Sequence, residues 1–203
     1  MNFAETERKL TLVVEGPADE KFLKDYCAEN FSSDMSKVDF IKLGTDWHGL
    51  NKFKNQILRG FDKGGILLIL DADTPNHNEG GFNKRLAAIT AWLEKVKVTA
   101  QVFLWPNNSN DGNLETLLQN IIVKEHEQIF VCFEKYEECL RAGEKGYVTP
   151  NEKAKVYAYA YALSEKGEEA SDVKRNYRNP NVWNLKSDFL QPLNQFLAPH
   201  IQA

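Results

Sequence analysis

Residues 64–75, GGILLILDADTP, constrain the fold more than any other stretch. Positions 66–70 are apolar without interruption and are closed by polar residues. A run of that length reads as a strand buried on both faces of a parallel sheet. It ends in Asp71-Ala72-Asp73. Open α/β sheets keep their sites outside the carboxyl ends of their strands. Alternate strand residues point the same way, so Asp71 and Asp73 are expected to aim at one point. Two carboxylates about 4 Å apart repel by ~4 kcal/mol at an effective dielectric near ~20. A divalent cation turns that repulsion into binding. The plain alternative is that acids merely end a strand; the paired spacing at a strand end favours a metal.

Other apolar runs fit the same sheet. Residues 10–15, LTLVVE, form a first strand that also ends in an acid. Gly16-Pro17 breaks it, and Pro17 suits the first turn of a helix. Phe22, Leu23, Tyr26 and Cys27 follow at helical spacing. Asp19 and Glu20 fall in that first turn, where acids favour the positive end of the helix dipole. The dipole explains Asp19 as well as a metal role does. Glu15 is different, because a charge at the end of a buried strand is costly unless something pairs with it.

Residues 38–43, VDFIKL, give a second strand, then a turn with Asp46, Trp47 and His48. The next helix carries Leu50, Phe53, Ile57 and Leu58 and is expected to end at Gly60. The 66–70 strand comes third. A polar loop over 74–81 contains His77, and Phe82, Leu86, Ile89, Leu93 and Val96 then mark an amphipathic helix. Lys84 and Arg85 begin that helix, either to contact a phosphate backbone or as a solvated face. Residues 100–104, AQVFL, are the fourth strand. This alternation predicts an α/β fold with a roughly four-stranded parallel sheet and helices on both faces.

Beyond the fourth strand the pattern turns helical. WPNNSNDGN is a long polar turn, followed at once by Glu115 and by Leu114, Leu117, Leu118, Ile121 and Ile122 at helical spacing. Ile129, Phe133, Tyr136 and Leu140 repeat that spacing. Thr149 with Glu152 spells a capping box, and Pro150 suits a first helical position. VYAYAYAL alternates like a strand, but the cap and the alanines favour a helix in which Tyr157, Tyr159 and Tyr161 pack. Polar residues 164–181, with Lys174, Arg175 and Arg178, read as a loop. A last short helix spans 189–197, its start disturbed by Pro192. The expected organisation is an α/β domain over 1–125 and a helical extension over 126–203 packed on the same domain.

Composition narrows the class. Of 203 residues, 42% are hydrophobic and 27% charged, which supports a packed core. No apolar stretch is long enough to span a membrane, and the first residues lack the apolar core of a signal peptide. Cys27, Cys132 and Cys139 have no zinc spacing and fit reduced thiols in a cytoplasmic protein. The net charge of −4 argues against indiscriminate nucleic-acid binding without excluding a local basic surface.

Strand ends thus carry Glu15, Asp71 and Asp73, with Glu115 after the fourth strand. In a parallel sheet these ends share one edge. Hard oxygen donors of this kind suit Mg2+ or Mn2+ and not zinc.

At this point the sequence resembles Toprim domains. The apolar strand ending in Glu15-Gly16, with Asp19 four residues on from Glu15, looks like their first motif; LILDAD at 68–73 looks like their Asp-x-Asp motif. Such domains occur in topoisomerases, bacterial primases, recombination proteins and nucleases of the overcoming-lysogenization-defect class. The block from Trp105-Pro106 through Gly112-Asn113-Leu114-Glu115 is similar to small stand-alone Toprim-like proteins of unassigned function, as are KVYAYAYAL and NVWNLKSDFLQPL. The resemblance implies that Glu15 is a general acid or base, or a ligand, and that Asp71 and Asp73 bind magnesium. Glu115 resembles an acidic position of the nuclease-like branch and would complete the metal site, with Asp19 beside it. Toprim topoisomerases also use a nucleophilic Tyr in a separate domain, and nothing marks one here.

The first functional expectation is therefore a magnesium- or manganese-dependent, nuclease-like enzyme acting on DNA or RNA phosphodiesters. The second is a non-catalytic metal- or nucleotide-binding module that acts with a protein partner or another copy of itself. A sugar-nucleotide transferase would need a different loop after its first strand than Glu15-Gly16-Pro17. A haloacid-dehalogenase-type phosphatase would carry its Asp-x-Asp on the first strand, with Thr or Val where Pro75 stands.

Overall fold

In the computed structural model the described residues are 9–33, 35–44, 46–76, 79–165, 171 and 174–201. His77 lies outside them. Strands β1 (Leu10–Val14), β2 (Val38–Lys42), β3 (Ile66–Asp71) and β4 (Gln101–Trp105) form one sheet in the order β2-β1-β3-β4. Every pairing is parallel. Helices α1 (Pro17–Phe31), α2 (Gly49–Lys63) and α3 (Phe82–Val96) are the crossovers. Four more helices follow: α4 (Leu114–Asn120), α5 (Gln128–Ala142), α6 (Glu152–Ala162) and α7 (Gln191–Leu197). The protein is an α/β fold with seven helices among the described residues flanking a four-stranded parallel sheet. None is long and apolar enough to cross a membrane.

The two-residue period of each strand splits the core in two. Leu12, Val14, Leu67, Ile69, Phe103 and Trp105 face one side, where α1, α4 and the C-terminal helices pack. Val13, Leu68, Leu70 and Leu104 face the other, against α2 and α3. Ile66–Leu70 is buried throughout, as a central parallel strand requires. The C-terminal segment shares the first core: Phe130 of α5, Val156 and Tyr159 of α6, and Leu193 and Leu197 of α7 belong to the cluster of Phe22 and Trp105.

Several local expectations are corrected. Helix α2 does not stop at Gly60 but runs to Lys63. Gly60 serves close packing instead, because a Cβ there would lie 2.8 Å from Thr11 Oγ1 on β1. Asn151, not Thr149, caps α6, its side chain accepting from Ala154 N at 3.0 Å. Glu152 is thereby free of the box and accepts from Thr116 Oγ1 on α4 at 3.2 Å. On α5 the buried anchor is Phe130, while Tyr136 is exposed. Arg175 lies in the expected loop but is buried, with its guanidinium 5.7 and 5.9 Å from the rings of Tyr177 and Trp183. Pro192 sits in the first turn of α7, which a 3₁₀ turn over Asp188–Leu190 introduces.

Candidate carboxylate cleft

The sheet order fixes where a site can form. The chain leaves β1 through α1 toward β2, then returns across β1 to β3 and β4. Crossovers depart in opposite directions from β1 and β3, and a crevice opens between their carboxyl ends. Glu15 follows β1 directly and Asp71 is the last residue of β3, so the two carboxylates stand at this switch point.

A cleft of about 300 Å³ lies there, lined by Glu15, Gly16, Asp19, Asp71, Glu115 and Lys153 among others. Glu15 Oε1 accepts from Asp71 N at 3.1 Å. Asp71 Oδ1 accepts from Leu114 N, the first residue of α4, at 3.2 Å. Asp19 Oδ2 accepts from Gly16 N at 2.9 Å, closing the N-terminus of α1. Its Oδ1 accepts from Trp105 Nε1 at 2.9 Å, within the core. Asp19 is therefore a cap and a core hydrogen-bond partner first. Gly16 has an extended backbone, so its role lies in its N–H and in the open wall it leaves to the cleft.

Electrostatics follow from packing carboxylates where water is scarce. Burial, the largest cause, raises Glu15 to about 8, and the charges of Asp19 and Asp73 add to it. The Asp71 N–H and the Arg85 guanidinium oppose that rise. Burial also lifts Asp19 to about 6, against the hydrogen bonds from Gly16 and Trp105. Asp71 is pushed well above the usual carboxylate range, by burial first and then by Glu15, Asp19, Asp73 and Glu115. These groups perturb one another and titrate as a set.

Asp73 is held differently from Asp71, although its charge acts on both Asp71 and Glu15. Strand β3 ends at Asp71, and Asp73 takes a left-handed backbone with φ of 56°. Its N–H and C=O pair with Gly112 at 2.7 and 3.0 Å. The loss of the two-residue period past Asp71 sends its carboxylate to Arg85 Nη2 at 2.7 Å. Arg85 is 1% exposed and also donates from Nε to Glu79 O at 3.3 Å. It is a buried counter-ion, not a phosphate contact on a helix surface. Lys84, its neighbour on α3, is exposed. The structure thus gathers Glu15, Gly16, Asp19, Asp71 and Glu115 on one cleft and leaves Asp73, Lys84 and Arg85 off its lining.

Three contributors were missing from the sequence-based site. Lys153 reaches the lining from α6, far along the chain. Trp105 donates to Asp19, and a Trp ending a buried strand did carry the signal that its N–H needs an acceptor. Leu114 contributes a backbone N–H, which no residue type announces.

The donors fit a hard cation in chemistry, being carboxylate oxygens without His or Cys. Among the described residues, no group of three or more His, Cys, Asp or Glu side chains is set to hold a metal ion. A larger cavity of about 540 Å³ opens between the end of α1, residues 119–127 and residues 177–187. It lacks a convergent acid set: Glu29 on its wall is matched by Arg178 at 3.7 Å and Lys186 at 3.9 Å.

Searches of curated proteins and of solved structures return no match. A family model, described as protein of unknown function (DUF3226), matches residues 9–202 and so takes in the sheet, the cleft and the C-terminal helices alike. The chain belongs to this DUF3226 family.

Proposed function

We propose that the protein is a magnesium- or manganese-dependent enzyme acting on phosphodiesters, nuclease-like in the manner of the Toprim domains its motifs resemble, and cytoplasmic. One observation carries this reading: Glu15, Asp19, Asp71 and Glu115 line a single cleft at the β1/β3 switch point, with Glu15 and Asp71 forced toward their protonated forms. Acids crowded out of water are stabilised by a cation, and an all-oxygen set suits magnesium or manganese. Asp71 and Glu115 are the residues to hold it. Asp19 adds charge while serving as a cap, and Asp73 joins only by leaving Arg85. Held by these residues, the ion would supply Lewis acidity toward a phosphate oxygen and an acidified water.

The chain itself supplies proton transfer. Glu15 Oε1 is held by the Asp71 N–H, which leaves Oε2 to take or give a proton. Burial raises Glu15 to about 8 in the metal-free protein, and a bound cation would draw it back down toward neutrality, where a general acid or base works best. Substrates would be DNA or RNA.

A second reading rests on Arg85. A buried guanidinium already neutralises Asp73 and reaches Glu15 electrostatically, doing part of what a second cation would do. That favours a non-catalytic metal- or nucleotide-binding module acting with a partner. Manganese calorimetry beside cleavage assays on single-stranded and duplex DNA and RNA separates the two. For an enzyme, Glu15→Gln retains manganese and loses cleavage, whereas Asp71→Asn loses both. A parent that binds manganese and cleaves nothing is the module. A parent that binds no manganese is not the enzyme, and one that binds no nucleotide either is not the module.

A further inference from the structure

Helix α6 treats its three tyrosines differently. Tyr159 is fully buried; its hydroxyl donates to Val182 O at 2.7 Å and accepts from Val123 N at 3.2 Å. Tyr157 and Tyr161 are 44% and 61% exposed. The packing expected of all three from sequence thus holds for one. The two outer rings lie nearly parallel, with centroids 6.2 Å apart and planes 11° from each other. Exposed parallel rings offer flat apolar faces at little cost in rotamer freedom.

The stripe has a direction. Lys153, Tyr157 and Tyr161 recur every four residues, so they share one face of α6 in steps of about 6 Å. Lys153 lines the carboxylate cleft. Glu152 beside it is fastened to Thr116 on α4, whose Leu114 and Glu115 line the same cleft. The tyrosine stripe therefore starts at the cleft rim and runs away from it. Its flanking acids have partners of their own: Glu134 of α5 pairs with Lys155 at 2.7 Å, and Glu152 accepts from Thr116.

We propose that Lys153, Tyr157 and Tyr161 form a track for single-stranded nucleic acid, whose unpaired bases stack on the two rings while its backbone passes Lys153 into the cleft. This rests on the phosphodiester reading and narrows its substrate class. Stacking needs exposed base faces, which a duplex keeps inside its own stack. With a net charge of −4 the chain brings no broad basic groove, so the track leans on ring stacking with Lys153 as its cation.

The test is fluorescence anisotropy of the full chain with labelled oligothymidylate, oligouridylate and an oligothymidylate–oligoadenylate duplex, with manganese and with chelator. Single strands should bind at least about tenfold tighter than duplex. The DNA and RNA arms show which sugar the track prefers. Tyr157→Ala with Tyr161→Ala should weaken single-strand binding about tenfold or more at an unchanged melting temperature. Tyr157→Phe with Tyr161→Phe should keep it. Hydrolysis of bis(p-nitrophenyl) phosphate by the parent tests the phosphodiester reading separately. If the parent hydrolyses no diester, the enzyme reading fails while anisotropy still decides the track. Equal binding of single strands and duplex overturns the proposal, as does an alanine variant that binds like the parent. So does a dimeric parent that the alanine changes turn into a monomer, which would make the stripe an interface between copies.

Discussion

The backbone N–H of Asp71 donates to Glu15 Oε1 at 3.1 Å, tying the side chain that follows β1 to the main chain of β3. The bond keeps a desolvated carboxylate at the switch point in a fixed orientation. It lowers the pKa of Glu15, yet burial outweighs it.

Stability should consequently fall as pH rises. Glu15 and Asp19 are raised in the folded protein, so between about 4 and about 8 the folded state holds protons that the unfolded chain has released. Their contribution is complete below the unfolded values and is lost as pH passes the folded ones. Without divalent metal, melting temperature should drop by several degrees from pH 5.5 to 8, at roughly 2–4 °C per kcal/mol for a chain of this size. Glu15→Gln should flatten the profile and stabilise the protein at pH 8. A parent profile that rises over this range refutes the shift.

Asparagine at the two aspartates of the motif should have opposite effects. Asp71→Asn takes out a carboxylate whose ionisation burial and its neighbours oppose, while keeping an oxygen for Leu114 N, so the metal-free melting temperature should rise at pH 8. Asp73→Asn strips Arg85 of its carboxylate and leaves a buried cation, at a cost of about 3 kcal/mol. Adding Arg85→Met to Asp73→Asn should recover much of that loss. Thermal melts of the three variants decide it. Millimolar manganese should raise the parent's melting temperature by linkage and leave Asp71→Asn unmoved.

Gly60→Ala should destabilise. Alanine gains about 1 kcal/mol in helix propensity. Its Cβ would stand 2.8, 3.1 and 3.2 Å from Oγ1, Cβ and Cγ2 of Thr11, a buried β-branched residue that cannot swing aside. Overpacking of this kind costs about 1–3 kcal/mol, so the clash wins. Denaturant unfolding should show a lower midpoint at an unchanged slope.

Thiol titration of the native protein should count two fast groups. Cys132 and Cys139 are exposed on α5, whereas Cys27 is buried in the α1 core with its thiol pushed up to about 12. Ellman's reagent should reach the third only on unfolding. Three fast thiols would contradict the packing of α1.

The strands were legible because five apolar residues between polar breaks admit few other structures, and β3 is the plainest case. Helix α6 was legible against its own alternation, since alanines and a cap outweigh a period of two, although the cap proved to be Asn151. Gly60 was misread because composition cannot separate a helix end from a close approach to a neighbouring strand. Arg85 was hidden for a similar reason. Next to Lys84 at a helix start it looks like one of two surface cations, and only the left-handed turn at Asp73 turns a carboxylate toward it. Glu15 and Asp71 were found through strand ends; Lys153 was not, because sheet logic says nothing about a helix from the far end of the chain.

That far helix matters during synthesis. All four cleft carboxylates leave the ribosome before Lys153 does, and β1 through β4 are complete by then. The nascent chain therefore carries the acid cleft with Arg85 at its back but without the Lys153 wall until α6 docks on α4 through Thr116 and Glu152. Premature loading with a cation would meet a half-walled site, whereas the finished wall arrives only with a full-length C-terminal third. Closure of the acid cleft is thereby coupled to synthesis through α6, so a product stalled or clipped before residue 152 would carry the carboxylates without their Lys153 wall.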